Sequence, residues 1–483
     1  MPLSFYLPRQ RSSIAIVAAL GLFFLMQLTS GYQTTMSDQA WDVASLVVLM
    51  AILWGFEAIP VAVTALLPLI VLPLLGVGGL RDFSAGYAHP LIFLFLGAFI
   101  LALALEKWHL HRRIALAILS RVGTEGRAII GGFMLIAALL SMGMTNTSTT
   151  MMLLPIALSV AALISERDDL QPTSKKNFAI ALVIGVAFGA TIGGMATIIG
   201  TPPNALVAAF VSEEYGIDIG FTEWLAIGLP LTCMLLPCAW WVLTRLVFRF
   251  QVSSSDTVQS HIFELKQALG EMSSAEKRVG LVFSLVIFCW ALRPWLASSL
   301  DLPFLSDAVI ALAAAALLFV IPASSNSEER LMDWDTAKTL PWAVLLLFGG
   351  GLSLAGAVNS SGLALWLGES LLPFSQYGLL VLILAVTFTV VYLTELTSNL
   401  ATTATFLPIV AALALQLDIS PLILCIPVAL AASCAFMLPV ATAPNAIVYS
   451  SGLFAVADMA KAGMRLNLIA GFVVAMFCFL FLT

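Results

Sequence analysis

Charge is what this chain has least of. Asp, Glu, Lys and Arg make up 10% of its 483 residues, against about 25% in an ordinary soluble domain. That excludes a soluble enzyme and a solvated, disordered chain. The four histidines, His89, His109, His111 and His261, are too scattered for a proton relay. The six cysteines, Cys233, Cys238, Cys289, Cys425, Cys434 and Cys478, lie in apolar runs and form no CxxC pair. Neither a disulfide framework nor a thiolate metal site is expected. A net charge of −6 leaves no basic footprint, so no nucleic-acid partner is expected. The chain carries no GxxxxGK[ST] phosphate loop, no Arg-rich helix and no TVGYG filter. Those absences argue against an ATP-driven pump, a voltage sensor and a potassium channel. No activated nucleophile marks an embedded enzyme.

Hydrocarbon is what the chain has in excess. Hydrophobic residues make up 61% of it, and such a chain escapes water only in lipid. At about 20 apolar residues per helix, the length allows about ten to twelve crossings. The apolar runs predict spans at 14–30, 42–58, 60–77, 90–120, 178–211, 222–248, 279–297, 305–321, 341–371, 421–450 and 463–482. Two further stretches, 128–165 and 379–417, are long enough to cross once or to enter and return. The first run follows Arg9 and Arg11 without a nearby small-x-small cleavage site, so it reads as a retained helix.

Charge distribution decides between the two topologies. With a cytoplasmic N-terminus and two re-entrant hairpins, every one of the 21 Lys and Arg residues except Arg81 and Arg293 falls on the cytoplasmic side. The outer loops are then acidic, and the positive-inside bias normally orients such a chain. Making the first hairpin a crossing would invert every later loop. The expected fold is therefore an all-α polytopic membrane protein with about 11 transmembrane helices and two re-entrant hairpins. Helical spans point to a bacterial inner membrane, since outer-membrane spans are barrels. The C-terminus is expected on the periplasmic side. The polar stretch 251–278, amphipathic through Ile262, Leu265, Leu269 and Met272, reads as a cytoplasmic linker helix. Ser324–Lys338 reads as a second linker.

The two halves repeat. Leu96-Gly97-Ala98 matches Phe348-Gly349-Gly350. Thr145-Asn146-Thr147-Ser148-Thr149-Thr150, then Pro155, matches Ser398-Asn399-Leu400-Ala401-Thr402-Thr403, then Pro408. Gly200-Thr201-Pro202-Pro203-Asn204 matches Ala441-Thr442-Ala443-Pro444-Asn445. In the topology above, matched segments run in opposite directions. Inverted repeats with broken helices are a signature of secondary transporters, with substrate held near the midplane.

A polar cluster within an apolar hairpin is costly unless satisfied. Alone, one such cluster reads as interhelical packing. A matched pair, beside helix breaks at Pro202-Pro203 and Pro444, favours a binding role. Helix N-termini attract anions and unwound carbonyls hold cations. No Lys or Arg lies in either cluster. An anionic substrate would meet only amides, hydroxyls and dipoles, and a hard cation such as Na⁺ would supply the missing positive charge. Glu57, between crossings, reads as an interfacial structural residue. Glu395 either holds the second hairpin tip together or tunes a cation or proton site.

On these motifs, from about residue 40 to the end, the chain resembles the divalent-anion/sodium symporter family, which includes sodium–dicarboxylate and sodium–citrate cotransporters. That family carries a Ser-Asn-Thr motif at each hairpin tip. Here they stand as Thr145-Asn146-Thr147 and Ser398-Asn399-Leu400. Thr394-Glu395-x-Thr397-Ser398-Asn399, Trp54-x-x-Glu57-x-x-Pro60 and Thr64-Ala65-Leu66-Leu67-Pro68 also match its pattern. The resemblance implies a homodimer, each protomer with scaffold and transport domains, working as an elevator. It implies one sodium site at Ser141, Thr145, Asn146 and the Gly200 carbonyl, and a second at Thr394, Thr397, Asn399 and the Ala441 carbonyl. Substrate carboxylates would meet Asn146, Thr147 and Thr201 on one side and Ser398, Asn399 and Thr442 on the other. Leu400 and Ala443 stand beside them as departures from the family pattern, and Leu400 is expected to shift substrate preference.

The resulting domain reading is 1–125 scaffold, 126–250 first transport part, 251–278 linker helix, 279–375 scaffold and 376–483 second transport part. The expected function is Na⁺-coupled import of C4-dicarboxylates such as succinate, malate or fumarate, with no organic cofactor. The rivals are a Na⁺-independent dicarboxylate exchanger and a citrate or sulfate carrier. An ion channel is the alternative from a different class.

Overall fold

The computed structural model describes residues 9–253, 256–299, 301–302, 304–325, 327–371 and 377–483. The stretch before Arg9 and the domain boundary at 375–376 lie outside them. The described residues are helical and form no named strand; one isolated bridge joins Pro322 and Arg330. Nine helices among them are long and apolar enough to cross a bilayer, and shorter apolar helices lie between.

Both stretches whose topology was open turn back on themselves. Gly126–Ser141 and Asn146–Ser165 are joined by a short turn, as are Leu379–Leu393 and Asn399–Gln416. The first hairpin begins and ends at the same end of the molecule. Gly126 N donates to Val252 O (3.1 Å), and Arg167 donates to Ser253 O (3.3 Å). Asn177, near the start of the next helix, donates to Arg249 O (2.8 Å). These basic segments therefore share one end. At the opposite, acidic end, Ser37 Oγ donates to Ser361 O (3.1 Å) and Phe221 N to Asp307 Oδ2 (2.8 Å). Asp307 also pairs with Arg293, one of the two basic residues the charge reading left on that side (3.0 Å).

Besides the two expected helix breaks, three predicted spans are interrupted. The run 60–77 forms two short helices, Val61–Thr64 and Leu67–Leu74. The run 90–120 breaks after Lys107, where His109 takes a left-handed φ of 56°, and continues as an amphipathic helix, Leu110–Leu119. The run 341–371 breaks at Gly362, φ 82°, before Leu363–Leu371. Hydropathy alone did not separate crossing from arm, because both are apolar. In the last two the break depends on single left-handed residues, which a continuing helix does not accept. Arg113 fastens the first arm by donating to Glu276 Oε1 (2.7 Å) and to the carbonyl of Gly270 (2.9 Å). At the same end Lys107 donates to Asp333 Oδ2 (2.7 Å), and this ammonium holds the Asp333 carboxyl down at about 2.

The core is built on bare backbone. Helix Pro172–Gly194 is buried throughout Ile180–Gly194 and carries Gly185, Gly189 and Gly193 on one stripe. A Cβ on Gly189 would stand 2.6 Å from Met134 O, and one on Gly193 would collide with the backbone of Ala138. Without water to drive helices together in lipid, such small residues allow the close packing that holds them. Outward-facing side chains, among them Ile14, Val17, Leu281, Phe288 and Phe481, are exposed and apolar, as a lipid-facing surface requires. Replacing Gly193 by Val should unseat the first hairpin and cost about 1–3 kcal/mol or more. Thermal melting of purified protein should show a clear drop; an unchanged midpoint contradicts this packing.

Candidate functional site

The site is assembled from helix ends. Each hairpin's second arm starts with a hydroxyl cap: Thr145 Oγ1 accepts from Ser148 N and Ser398 Oγ accepts from Ala401 N, both at 3.2 Å. Ser and Thr favour this position because the side-chain oxygen satisfies a first-turn amide. The amides of Asn146, Thr147, Asn399 and Leu400 lie within those first turns, where helix geometry supplies no intrahelical acceptor. The two broken helices start again just after Thr201 and Thr442, each followed by proline in the first turn. Thr442 caps its own half-helix by accepting from Asn445 N (3.3 Å).

Packing crosses the two repeats. The first hairpin's second arm lies against Ala443–Tyr449, and the second hairpin's second arm lies against Pro202–Tyr215. The four polar turns therefore belong to one region between the halves.

An asparagine organises each unwound segment. Asn204 Nδ2 donates to Gly194 O (3.2 Å) and Thr197 O (2.8 Å), ten and seven residues back. Asn445 Nδ2 donates to Ala435 O (3.0 Å) and Leu438 O (3.1 Å), at the same two separations. Both amides are fully buried, and their Oδ1 atoms have no hydrogen-bond partner. The sequence marked these asparagines as part of the repeat but not as site organisers.

In the first half, oxygens converge on glycine. A Cβ built on Gly194 would stand 2.5 Å from Asn146 Oδ1 and 3.0 Å from Gly200 O. One built on Gly200 would meet Gly194 O and stand 2.9 Å from Ser141 O. Ser141 Oγ and Asn146 Oδ1 are buried without a hydrogen-bond partner. An amide oxygen is an acceptor only, so leaving it unpaired is unfavourable unless a donor or cation meets it. Uncharged, hard oxygen donors on a bare backbone fit a sodium ion. Ser141, Asn146 and Gly200 are thus brought together; Thr145 spends its hydroxyl on the cap and on Ser148 Oγ (3.0 Å).

The second half is closed differently. Thr394 Oγ1 lies 2.9 Å from Asn399 Oδ1 and 2.8 Å from Ala432 O. Thr397 donates to Leu393 O (3.1 Å), pairs with Thr402 and packs its methyl against Gly55. Ala441 and Thr442 occupy the positions of Gly200 and Thr201. Thr147, Ser398, Asn399 and Thr442 are half-buried, Thr201 is buried and Ala443 is exposed. Leu400 is buried in the apolar core.

Glu395 is 3% exposed. Its Oε1 accepts from Phe436 N and Met437 N (both 2.8 Å) and from Asn467 Nδ2 (2.7 Å), and its Oε2 accepts from Leu438 N (3.0 Å). Of the two roles open to it, this geometry performs the first: the carboxylate ties the hairpin tip to the unwound segment and to the last helix. Asn467, one amide in an apolar helix, was the missed partner. No Lys or Arg occurs in 141–150, 191–205, 394–405 or 433–446.

A family model described as the sodium:sulfate symporter transmembrane region matches residues 9–482. The chain belongs to the divalent-anion/sodium symporter family. It is a membrane transporter, not an enzyme. The sodium-dependent dicarboxylate transporter SdcS of Staphylococcus saprophyticus is 40% identical over 453 residues, covering 93% of this chain and 87% of that protein. SdcS of Staphylococcus aureus strain USA300 is 38% identical over 460 residues, covering 94% and 88%. The crystal structure of the Alcanivorax borkumensis YdaH transporter matches with a TM-score of 0.54 over 98% of both chains. At 12% identity that likeness is one of fold.

Removing the Glu395 carboxylate leaves three backbone amides and Asn467 without acceptors. Glu395→Ala should cost about 3 kcal/mol or more, read as a lower melting midpoint. Equal stability of variant and wild type would contradict the tethering role.

Proposed function

We propose that this transporter is a Na⁺-coupled importer of C4-dicarboxylates such as succinate, malate and fumarate. The observation that carries the reading is the pairing of unpartnered oxygens at Ser141 and Asn146 with a site free of Lys and Arg. Helix N-termini contribute partial positive charge, equivalent to roughly half an elementary charge each. A doubly charged anion needs more, and co-bound cations supply it. The names of the relatives, which pair sodium with a dicarboxylate, support the same choice.

In this mechanism Ser141, Asn146 and the carbonyl of Gly200 hold one sodium ion. Thr394, Asn399 and the carbonyl of Ala441 hold a second, with the hydroxyls of Thr145 and Thr397 nearby. Both asparagines face two ways, toward cation and anion, so cargo and coupling ion share ligands. Thr147 and Thr201, opposite Ser398 and Thr442, orient the two carboxylates. Leu400 acts through packing, beneath the anion.

The movement is an elevator stroke, with 126–250 and 376–483 sliding against 1–125 and 279–375. The interface supports this. Gly351 presents bare backbone to Leu206 and Ala404 across it. Both hairpin tips lie near the basic end of scaffold helices: Thr397 beside Gly55, and Ser148 facing Glu106. The protein works as a homodimer in the bacterial inner membrane, with its N-terminus cytoplasmic and its C-terminus periplasmic.

Succinate uptake into proteoliposomes tests the coupling. An inward Na⁺ gradient should drive uptake into empty vesicles, a matched K⁺ gradient should not, and Asn146→Ala and Asn399→Ala should each abolish it. Uptake without Na⁺, only into succinate-loaded vesicles, would establish an exchanger instead. Uptake of citrate or sulfate in place of succinate would correct the substrate. A wedge tests the stroke: Gly351→Leu should slow uptake about tenfold or more while succinate still binds. Unchanged turnover would remove this face from the sliding surface.

A further inference from the structure

The repeats match position for position around the two cation sets, yet their bonding differs. Ser141 corresponds to Thr394 and Asn146 to Asn399, and Gly194 and Gly200 correspond to Ala435 and Ala441. In the first set, Ser141 Oγ and Asn146 Oδ1 have no hydrogen-bond partner. In the second set the matching atoms, Thr394 Oγ1 and Asn399 Oδ1, are 2.9 Å apart and bonded to each other.

Backbone exposure differs in the same sense. The first set is walled by Gly194 and Gly200, and a Cβ on either would run into the converging oxygens. The second set carries a methyl group at both positions. One set is therefore open and unsatisfied, and the other is self-satisfied and partly filled.

We propose that the two sodium sites are unequal: the set at Ser141, Asn146 and Gly200 is preformed and fills at lower Na⁺, whereas the set at Thr394, Asn399 and Ala441 fills only at higher Na⁺, after the Thr394 hydroxyl gives up Asn399. This rests on the sodium-coupled reading above and adds an order to it.

The physics is that of preorganisation. A cation entering the first set loses water and gains oxygens that had no other partner, so no protein bond is broken. A cation entering the second set must displace an existing hydrogen bond. Thr394 has one hydroxyl hydrogen for two acceptors, Asn399 Oδ1 and Ala432 O at 2.8 Å. Sodium at Asn399 would leave that hydrogen to Ala432, so the displaced donor keeps an acceptor and the site still forms. The net loss is the Asn399 arm of that shared hydrogen bond, which corresponds to a midpoint up to about fivefold higher. Glu395 adds a carboxylate to the second half, but its four hydrogen bonds already engage both of its oxygens.

Equilibrium dialysis with radiolabelled Na⁺ tests this on the purified full chain in detergent, without dicarboxylate and with K⁺ holding the ionic strength. Wild type should bind in two steps, the weaker midpoint severalfold above the tighter one. Ser141→Ala should remove the tighter step. Thr394→Val, which keeps the side-chain shape, should retain the tighter step and lose the weaker one. Gly194→Ala and Asn399→Ala make the same pair of comparisons if either first variant fails to fold. Loss of the tighter step in Thr394→Val with its retention in Ser141→Ala would overturn the order. So would a single step weakened equally by both variants. Absence of any Na⁺ binding by wild type would overturn the sodium-coupled reading itself, a separate result.

Discussion

The structure depends on one constraint: backbone polar groups inside a bilayer must find partners within the protein. Two helices break in the middle of this molecule, and each break frees carbonyls and amides where no water supplies a substitute. Asn204 and Asn445 answer that demand with the same two-point grip on the carbonyls ten and seven residues behind them. Glu395 answers it from the amide side in the second half, through Phe436, Met437 and Leu438. In the first half Thr197 donates to Met142 O at 2.6 Å. Once the breaks are held open, the Gly200 carbonyl and Asn146 Oδ1 converge on the bare backbone of Gly194, and a site exists.

The same constraint links fold to function. A straight helix consumes its own polar groups and can bind nothing through them. A broken helix held by side chains presents backbone oxygens and helix starts at a chosen depth. The inverted repeat doubles the device and faces the copies toward each other, and in the proposed mechanism cation and anion share Asn146 and Asn399. Sequence divergence between the copies then acts locally. Glycine against alanine, and an unpaired serine against a paired threonine, make two similar cradles unlike in bonding.

Much of this architecture is legible in the amino-acid sequence. The crossings, the two hairpins and the inverted repeat follow from apolar run lengths, from the side on which Lys and Arg fall, and from three matched motifs. Two features are not legible there. Lys107 to Leu110 and Ser360 to Leu363 read as continuous spans, because only a left-handed residue at His109 and at Gly362 separates crossing from arm. The partners of Glu395 are also hidden. They are backbone amides about forty residues away, and composition carries no sign of them. Asn467 is visible as a polar residue in an apolar helix, but pairing it with Glu395 requires the packing of the last helix against the second hairpin.

The central claim is that a site without a fixed cationic side chain binds a dicarboxylate only when sodium lends its charge. Succinate binding to the purified protein, measured calorimetrically in Na⁺ and again with K⁺ in its place, tests it most directly. Saturable binding in Na⁺ and none in K⁺ is the predicted result. Equal affinity in the two salts would contradict it, because helix ends and amides would then suffice to hold the anion without a coupling ion.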